Sequence, residues 1–410
     1  MLTLSNSLRS SNGPVGTREN HDLEHLRIRR LTSWRELESL RPVWEQILQV
    51  TPGLTIFSTV EWLSAWWKAF GQGKQLIALT FSDAAGEVVG LAPLYIEQMK
   101  GGTLGRLKRL LMVGDGTRDS DALDLIFRSG YEEACSRALL AWLDSDRSWD
   151  VCELNTLPEA SDNARALQSS LTKRHWVSVR SARPHSVVLL PDSWDAYLRQ
   201  LSKKFVYKIE RGTHKLARRF TVRVVKCTET SELSACLETL FALHQRRWNA
   251  KGQSGTFASI ERRELYYQMS RAFLLRGWLE FWHLELNGTT VAVQFGFRRD
   301  NTLYSLQEGL NPAHLSDWVG VVLRAHILQR MIEDGVSRYD FLGGIDPHKQ
   351  LWGATLGAYT DLHFARPMSR GAAYLVTRQR LNDTKAWLRT HLSDSALDVV
   401  RRMRRRTAAV

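Results

Sequence analysis

The order of short apolar segments in the second half of the chain is the feature that most restricts its fold. Two apolar runs, Trp278 to Leu286 and Thr289 to Arg298, flank Asn287-Gly288, a dipeptide that strongly favours the tight turn of a β-hairpin. The segments that follow are expected to form a strand, a helix and two more strands, at residues 302–308, 317–333, 339–342 and 358–364. This order predicts a mixed sheet flanked by helices.

The first half repeats the order less clearly. Apolar residues at helical spacing between Trp34 and Phe70 predict two amphipathic helices, and the runs Leu76 to Phe81 and Val88 to Ile96 predict a second hairpin. Pro93 suggests that this hairpin lies at an edge or carries a bulge. Further short strands and one helix are expected at residues 110–113, 123–127, 135–143 and 151–154. We therefore predict an α/β (α+β) fold with two similar halves.

Composition excludes several classes of protein. The chain has 410 residues, of which 43% are hydrophobic and 24% charged, so it is neither disordered nor of low complexity. Its 56 Lys and Arg against 43 Asp and Glu give a net charge of +13, which favours an anionic partner such as a nucleic acid, a phosphorylated cofactor or an anionic membrane surface. The four cysteines lack the spacing of a metal site, and no metal is predicted.

The location is expected to be cytoplasmic. No stretch approaches the ~18 apolar residues of a membrane-spanning helix. Residues 1–25 are predicted to be a disordered N-terminus, since they lack the apolar segment of a secretion signal. The arginines at positions 401, 402, 404, 405 and 406 are interpreted as a solvated basic tail, with peripheral contact to an anionic membrane as the alternative.

A helix after Pro191 is expected to be basic on one face. Its cationic and apolar residues form neighbouring stripes, Lys204, Lys208, Arg211, Lys215 and Arg218 beside Leu201, Phe205, Ile209 and Leu216. The stripe is either a solvated face whose lysine stems cover the core or a surface for a phosphate-bearing donor or acceptor. Gly212 is expected to weaken the helix and mark a kink.

Two segments carry candidate chemistry. The helix predicted at 317–333 begins beside the end of the third strand, where free amides and the helix dipole attract anions such as pyrophosphate. Ser316 or Asp317 would serve equally well there as an ordinary helix cap. In the second segment, a strand ends in Gly343-Gly344, and Lys349 and Trp352 follow a few residues later.

These motifs together resemble a known family. The residues that carry the resemblance are Phe57-Ser58, Glu61-Trp62, Gly90 to Leu94, Asp121 to Asp124, Leu243-His244, Arg247-Trp248, Lys251-Gly252, Gly255, Phe257, Asp340 to Gly343, Lys349, Trp352 and Gly353. They are similar to motifs of the GNAT-superfamily acetyltransferases of the CelD/BcsL type, which are associated with cellulose and exopolysaccharide biosynthesis. That tandem GNAT fold is shared with the Fem aminoacyl transferases. The resemblance covers about residues 30 to 370. The family's Ser-Pro-Gly before the donor-site helix and its tyrosine before the motif lysine are replaced here, by Asp317 to Gly320 and by His348.

The resemblance implies an N-terminal GNAT-like domain at 26–183, a C-terminal GNAT acyltransferase domain at 184–370, and a helix with the basic tail at 371–410. It implies transfer of an acyl group from acetyl-CoA or another acyl-CoA to an amine or hydroxyl, by direct attack on the thioester. The acceptor is expected to be a saccharide, a lipid-linked compound or a small amine in polysaccharide or cell-envelope biosynthesis.

The same resemblance suggests roles for individual residues. Val319, Gly320 and Arg324 would bind the acyl-CoA, while Trp62, Arg247 and Trp248 would line the acceptor pocket. The general base would be one of Glu308, His244 and Asp340. Each has a structural alternative: an exposed strand-end acid, a core histidine, and a carboxylate that binds backbone amides. Lys349 would stabilise charge at the thioester. Substitutions Lys349→Ala and Glu308→Gln are expected to reduce turnover without changing thermal stability.

Two other functions stay open. One is a Fem-like transferase that uses aminoacyl-tRNA, which the net positive charge would suit and for which tRNA would be the nucleic-acid partner. The other is a non-catalytic GNAT-like scaffold that binds polysaccharide machinery or RNA.

Overall fold

The computed structural model describes residues 25–250 and 252–391. The segment 1–24, Lys251 and the five arginines between 401 and 406 lie outside the described residues, and so do the predictions made for them.

A single sheet runs through the described part of the chain. Its strands are β1 (Arg27–Leu31), β2 (Gln75–Ser82), β3 (Val88–Lys100), β4 (Arg106–Met112), β5 (Ile126–Phe127), β6 (Val151–Pro158), β7 (Val177–Leu189), β8 (Val222–Lys226), β9 (Leu279–Leu286), β10 (Thr289–Arg299), β11 (Thr302–Leu310), β12 (Arg338–Gly343) and β13 (Thr355–Ala365). Their spatial order is β1-β2-β3-β4-β6-β13-β7-β12-β11-β10-β9-β8, with β5 paired to β3.

Helices cover the sheet. They are α1 (Trp34–Glu38), α2 (Arg41–Val50), α3 (Val60–Phe70), α4 (Glu132–Ser145), α5 (Asp162–Lys173), α6 (Trp194–Gln200), α7 (Lys203–Arg219), α8 (Leu233–Asn249), α9 (Ile260–Leu275), α10 (Val319–Glu333), α11 (Pro347–Leu351) and α12 (Arg370–His391). None of the helices in the described ranges has the length and apolar content that crossing a bilayer requires.

The two halves share one topology. In each, an antiparallel hairpin (β2–β3 or β9–β10) pairs with a third strand, and a helix then leads to a fourth strand that runs parallel to the third. The hairpin turn at Asn287 and Gly288 has positive φ at both residues, 51° and 80°, which is the backbone that this dipeptide favours. The predicted mixed α/β fold with tandem halves is confirmed.

The last strand of each half pairs with the other half. β7 follows β6 in the chain but lies beside β12, whereas β13 follows β12 but lies beside β6. β7 and β13 pair with each other along their length, from Thr355 opposite Val187 to Ala365 opposite Val177. The exchange makes one continuous sheet, and the boundary predicted at 183/184 falls inside β7.

Pro93 was expected to mark a hairpin at an edge or with a bulge. The hairpin of β2 and β3 does carry a bulge, at Val89, which has no partner residue in β2, but the expectation of an edge is wrong. β3 lies inside the sheet, between β2 on one side and β4 and β5 on the other. Its pairing with β4 begins at Leu94 and its pairing with β5 ends at Leu91, so Pro93 falls where the neighbouring strand changes. A residue without an N–H donor is tolerated there because no ladder bond to that neighbour is lost.

α7 runs without a break from Lys203 to Arg219 and packs against α10 at Gly212. A Cβ at position 212 would lie 3.2 Å from Val322 Cγ2 and 3.4 Å from the Trp318 ring. Glycine here lets two helices approach closely.

Candidate active site

A cleft of about 850 Å³ opens where β11 and β12 separate. These parallel strands pair only from Thr302–Tyr304 to Arg338–Asp340, and then they diverge. Just beyond this point β11 bulges, because Leu306 has no partner residue in β10. β11 from Ser305 to Glu308 lines the cleft, so a strand edge released from pairing with β12 faces the space between the strands.

The N-terminus of α10 lies at the cleft wall. Trp318, just before the helix, has a left-handed backbone (φ 59°), and no side chain caps the helix. The amides of Val319 and Gly320 donate to no acceptor in the described residues, and both residues line the cleft. Unpartnered first-turn amides favour an anion. Gly320 also serves packing, since a Cβ there would lie 3.0 Å from Leu310 Cδ2.

A salt-bridged carboxylate lies next to this helix start. Asp317 is buried and accepts from Lys215 Nζ at 2.8 Å and from Arg219 at 2.7 Å, both on α7. The hydrogen bond from Lys215 lowers the pKa of Asp317 to about 2. Its negative charge is therefore balanced by α7, which also ties α7 to the start of α10.

Arg324 forms a buried cluster one turn further along α10. Its guanidinium is ion-paired with Glu308 and stands 3.3 Å from His348 Nδ1. It also lies over the rings of Phe341 and Trp352, at 4.9 and 5.5 Å. Its Nε atom is buried without a hydrogen-bond partner among the described residues. The pair explains Glu308: it is neither a free base nor an exposed acid, but the counter-ion of a buried arginine.

Lys349 lies on α11, and its side chain contacts the end of β12. Its ammonium donates to the carbonyls of Phe341 and Gly343, at 3.0 and 2.8 Å, and lies 3.3 Å from those of Leu342 and Gly344. Burial lowers the pKa of Lys349. An ammonium has three protons for these four carbonyls, so its first role is to order the end of β12, where Leu342 has a φ of 60°.

His244 lies on α8 at the opposite wall. Its Nε2 accepts a 2.8 Å hydrogen bond from the indole of Trp248, and its Nδ1 has no partner within the described part of the chain. Burial, with Arg247 beside it, lowers the pKa of His244 to about 4. The imidazole is therefore neutral near pH 7 and, with Nε2 accepting, carries its proton on Nδ1. This favours a hydrogen-bond donor over a base.

Eight of the ten residues proposed from sequence line the cleft: Glu308, His244, Lys349, Val319, Gly320, Arg324, Arg247 and Trp248. Trp62 does not. Its ring is fully buried among Phe57, Phe273 and Phe297, and its indole donates to Ser120 Oγ at 2.8 Å, so it supports the cleft wall from behind.

Asp340 is also outside the cleft lining. It is 3% exposed and accepts from the Leu342 amide at 2.8 Å, as in the structural alternative considered for it. Burial raises its pKa. Neither the Trp62 ring nor the Asp340 carboxylate can reach a ligand in the cleft directly.

From the first half the sequence analysis predicted only Trp62 at the site, and it missed the residues that line the cleft. The loop after β4 brings Arg118, Asp119, Ser120 and Asp121 into the cleft, and β7 adds Arg183. Asp121 accepts from the Gly343 amide at 2.8 Å, which joins this loop to the end of β12. The sequence signal for this loop is Asp121 to Asp124, which carry part of the family resemblance but had no predicted role at the site.

The cleft is cationic. Its basic residues are Arg118, Arg183, Lys208, Arg247, Arg324 and Lys349, and its acidic residues are Asp119, Asp121, Glu308 and Asp346. Arg118, Lys208 and Arg247 form no ion pair with a described residue, while Lys208 Nζ lies 5.5 Å from the Trp318 ring. Free amides, unpaired cations and a narrow gap between strands suit an elongated, anionic donor.

The part of the chain that forms most of this cleft is similar to a known family. Residues 203–350, which contain β11, α10 and β12, match the family described as acetyltransferase (GNAT) domain. A search of curated proteins found no match.

Solved structures resemble the chain over most of its length. FemX has 11% sequence identity and a TM-score of 0.54, over 82% of this chain and 96% of that chain. A conserved protein of unknown function from Bacteroides thetaiotaomicron VPI-5482 has 14% identity and a TM-score of 0.53, over 80% and 97%. A tandem GNAT protein from the clavulanic acid biosynthesis pathway has 11% identity and a TM-score of 0.43, over 83% and 98%. At such identities the first two likenesses concern the fold.

Proposed function

We propose that the chain is an acyl-CoA-dependent N- or O-acyltransferase whose donor lies between β11 and β12. The observation that carries this proposal is the gap between these strands, which ends at the uncapped start of α10. An acyl-CoA has a narrow pantetheine arm and a diphosphate, and these match the narrow gap and the two free amides of Val319 and Gly320. The thioester supplies an activated acyl group.

The chain's own residues would then divide the work. Lys208 and the amides of α10 would bind the diphosphate, and Arg324 would hold Glu308 in place beside it. Amides at the bulge of β11 would donate to the acyl oxygen. One such donor contributes on the order of 3 kcal/mol to acyl transfer in other enzymes. Lys349 would keep the carbonyls of residues 341–344 turned away from that oxygen.

The acceptor would be a saccharide, a lipid-linked compound or a small amine, as in the CelD/BcsL-type enzymes that the sequence resembles. The acceptor would lie beside the Trp248 indole, which suits a sugar ring. Arg118 and Arg247, which form no ion pair with a described residue, also line the cleft.

The second candidate is a Fem-like transferase that uses aminoacyl-tRNA. It is favoured by the fold likeness to FemX and by α7, whose exposed Lys204, Arg211 and Arg218 continue the cationic surface beyond the cleft. Consumption of charged tRNA, with no turnover of any acyl-CoA, would select this candidate over the first.

Isothermal titration with acetyl-CoA and longer acyl-CoAs tests the proposal. Wild type is expected to bind at least one of them, more weakly as salt is raised. Lys208→Gln should weaken binding about tenfold, which corresponds to ~1.4 kcal/mol for a charged hydrogen bond. Lys203→Gln is the matched control, because Lys203 is exposed on the same helix outside the cleft. No binding by wild type across the set would refute acyl-CoA dependence.

A further inference from the structure

The identity of the general base follows from comparing the carboxylates of the cleft. Four line it. Asp119 is 2.9 Å from Arg262 and Glu308 is paired with Arg324, while Asp346 is exposed to solvent and caps α11 by accepting from the His348 amide at 2.8 Å. Asp121 forms no ion pair with any described residue. Its one hydrogen bond comes from the Gly343 amide to Oδ2, which leaves Oδ1 without a protein partner in the described chain.

Asp121 also occupies the right place. The pairing of β11 with β12 ends at Tyr304 and Asp340, and Gly343, which binds Asp121, lies just beyond. A Cβ at Gly343 would lie 3.3 Å from Asp121 Oδ2, so glycine permits the carboxylate to approach this closely. The carboxylate thus stands at the apex of the gap, where a thioester held between the strands would present its carbonyl carbon.

We propose that Asp121 is the general base of the acyl transfer, so that the first half of the chain supplies a catalytic group to a cleft whose donor side belongs to the second half. This inference rests on the function proposed above. In the step, the acceptor's nitrogen or oxygen attacks the carbonyl carbon of the acyl-CoA thioester, and a C–N or C–O bond forms. The C–S bond breaks and the thiolate leaves with its electron pair. The acceptor's proton moves to Asp121 Oδ1 and passes through solvent to the thiolate.

The surroundings of Asp121 suit a base. Asp340 on β12 and Asp119 on its own loop repel its negative charge, while Arg183 on β7 and Lys349 on α11 attract it. Burial raises the pKa of Asp121, and the Gly343 amide and the two cations limit the rise. The carboxylate is ionised above its pKa and protonated below it. Activity that depends on the ionised Asp121 carboxylate should therefore decline as the pH falls through its pKa.

Asp121→Asn tests the assignment, because the amide oxygen of asparagine can still accept from Gly343. Three quantities are measured for wild type and variant: melting temperature, affinity for acetyl-CoA, and thiol release from acetyl-CoA with glucosamine or water as acceptor across pH 5 to 9. The variant should keep its melting temperature and bind acetyl-CoA within about twofold. It should lose at least about 10²-fold in kcat/KM, together with the acidic limb of the pH profile. Asp121→Glu should restore part of the rate.

The control is Asp162→Asn, since Asp162 is exposed on α5 and pairs with Arg165 away from the cleft. It should match wild type in all three measurements. Failure of wild type to bind any acyl-CoA overturns the proposed function and this inference with it. Normal binding with an unchanged rate or an unchanged acidic limb in Asp121→Asn overturns the inference alone. So does a wild type that binds acetyl-CoA but releases thiol with neither acceptor.

Discussion

Individual residues in the cleft have structural duties that their residue types alone do not reveal. From sequence, Glu308 was expected to be either the general base or an exposed strand-end acid, and Lys349 to stabilise charge at the thioester. The structure gives each a set of partners: Glu308 balances the buried charge of Arg324, and Lys349 holds four carbonyls at the end of β12. Substitution of either residue leaves its buried partner groups without a hydrogen bond or a counter-ion. Unchanged stability is therefore no longer the expected result for these substitutions.

Glu308→Gln should lower the free energy of unfolding by about 2 to 4 kcal/mol, because it leaves the Arg324 guanidinium buried without a counter-ion. Urea denaturation followed by tryptophan fluorescence measures the change. Glu285→Gln is the matched control, since Glu285 pairs with an Arg223 side chain that is 67% exposed, and such pairs contribute below about 1 kcal/mol. Equal stability of the two variants would contradict the role given to the Glu308 pair.

At the scale of elements, the start of α10 depends on the helix that packs against it. α7 contacts α10 at Gly212 and holds Asp317 through Lys215 and Arg219. The position of the free amides at Val319 and Gly320 is thus set by α7. The basic residues of this helix therefore have a structural role as well as a charge. A substitution on the buried face of α7 should therefore alter ligand binding at the start of α10.

Gly212→Leu should destabilise the protein by about 1 to 3 kcal/mol and weaken acetyl-CoA binding, because a side chain there has to displace Val322 and Trp318. Ala217→Leu places the same side chain on the exposed face of the same helix and should leave both quantities nearly unchanged. Thermal unfolding and titration calorimetry provide the two readouts. Full acetyl-CoA affinity in a destabilised Gly212→Leu variant would show that α7 does not position the amides.

Elements were predictable where a local rule governs them. The hairpin at Asn287-Gly288 follows from turn chemistry, and the strands and α10 follow from apolar periodicity. The Glu308–Arg324 pair and the contribution of Asp121 were not predictable, because they depend on which elements meet in space. Asp121 lies in a loop without periodicity, and its partner Gly343 belongs to the other half of the chain.

At the scale of the whole molecule, the exchange of β7 and β13 binds the two halves together. Each of these strands lies in the interior of the sheet, between two strands of the other half. The aromatic cluster of Trp62 with Phe273 and Phe297 adds a second connection between the halves. Neither half has a complete sheet alone, although each has the order of elements of a domain.

Full-length protein should therefore unfold in a single calorimetric transition, with equal van't Hoff and calorimetric enthalpies. Fragments 1–191 and 192–410, divided after β7 and expressed separately, should show no cooperative transition, because each exposes a strand edge that the other half covers in the intact chain. Two resolved transitions in the intact protein, or a cooperatively folded 192–410 fragment, would contradict this description.

The exchanged strands also bear on how such a gene can change over evolutionary time. A deletion or recombination event that removed one half would also remove a strand with which the remaining half pairs. The remaining half would then have an incomplete sheet, so shortening to a single half is not expected. New specificities would instead arise by drift in the loops around the cleft, above all in the one that carries Arg118 and Asp121. Retention of both halves then follows from the topology of the sheet, whatever ligand the cleft binds.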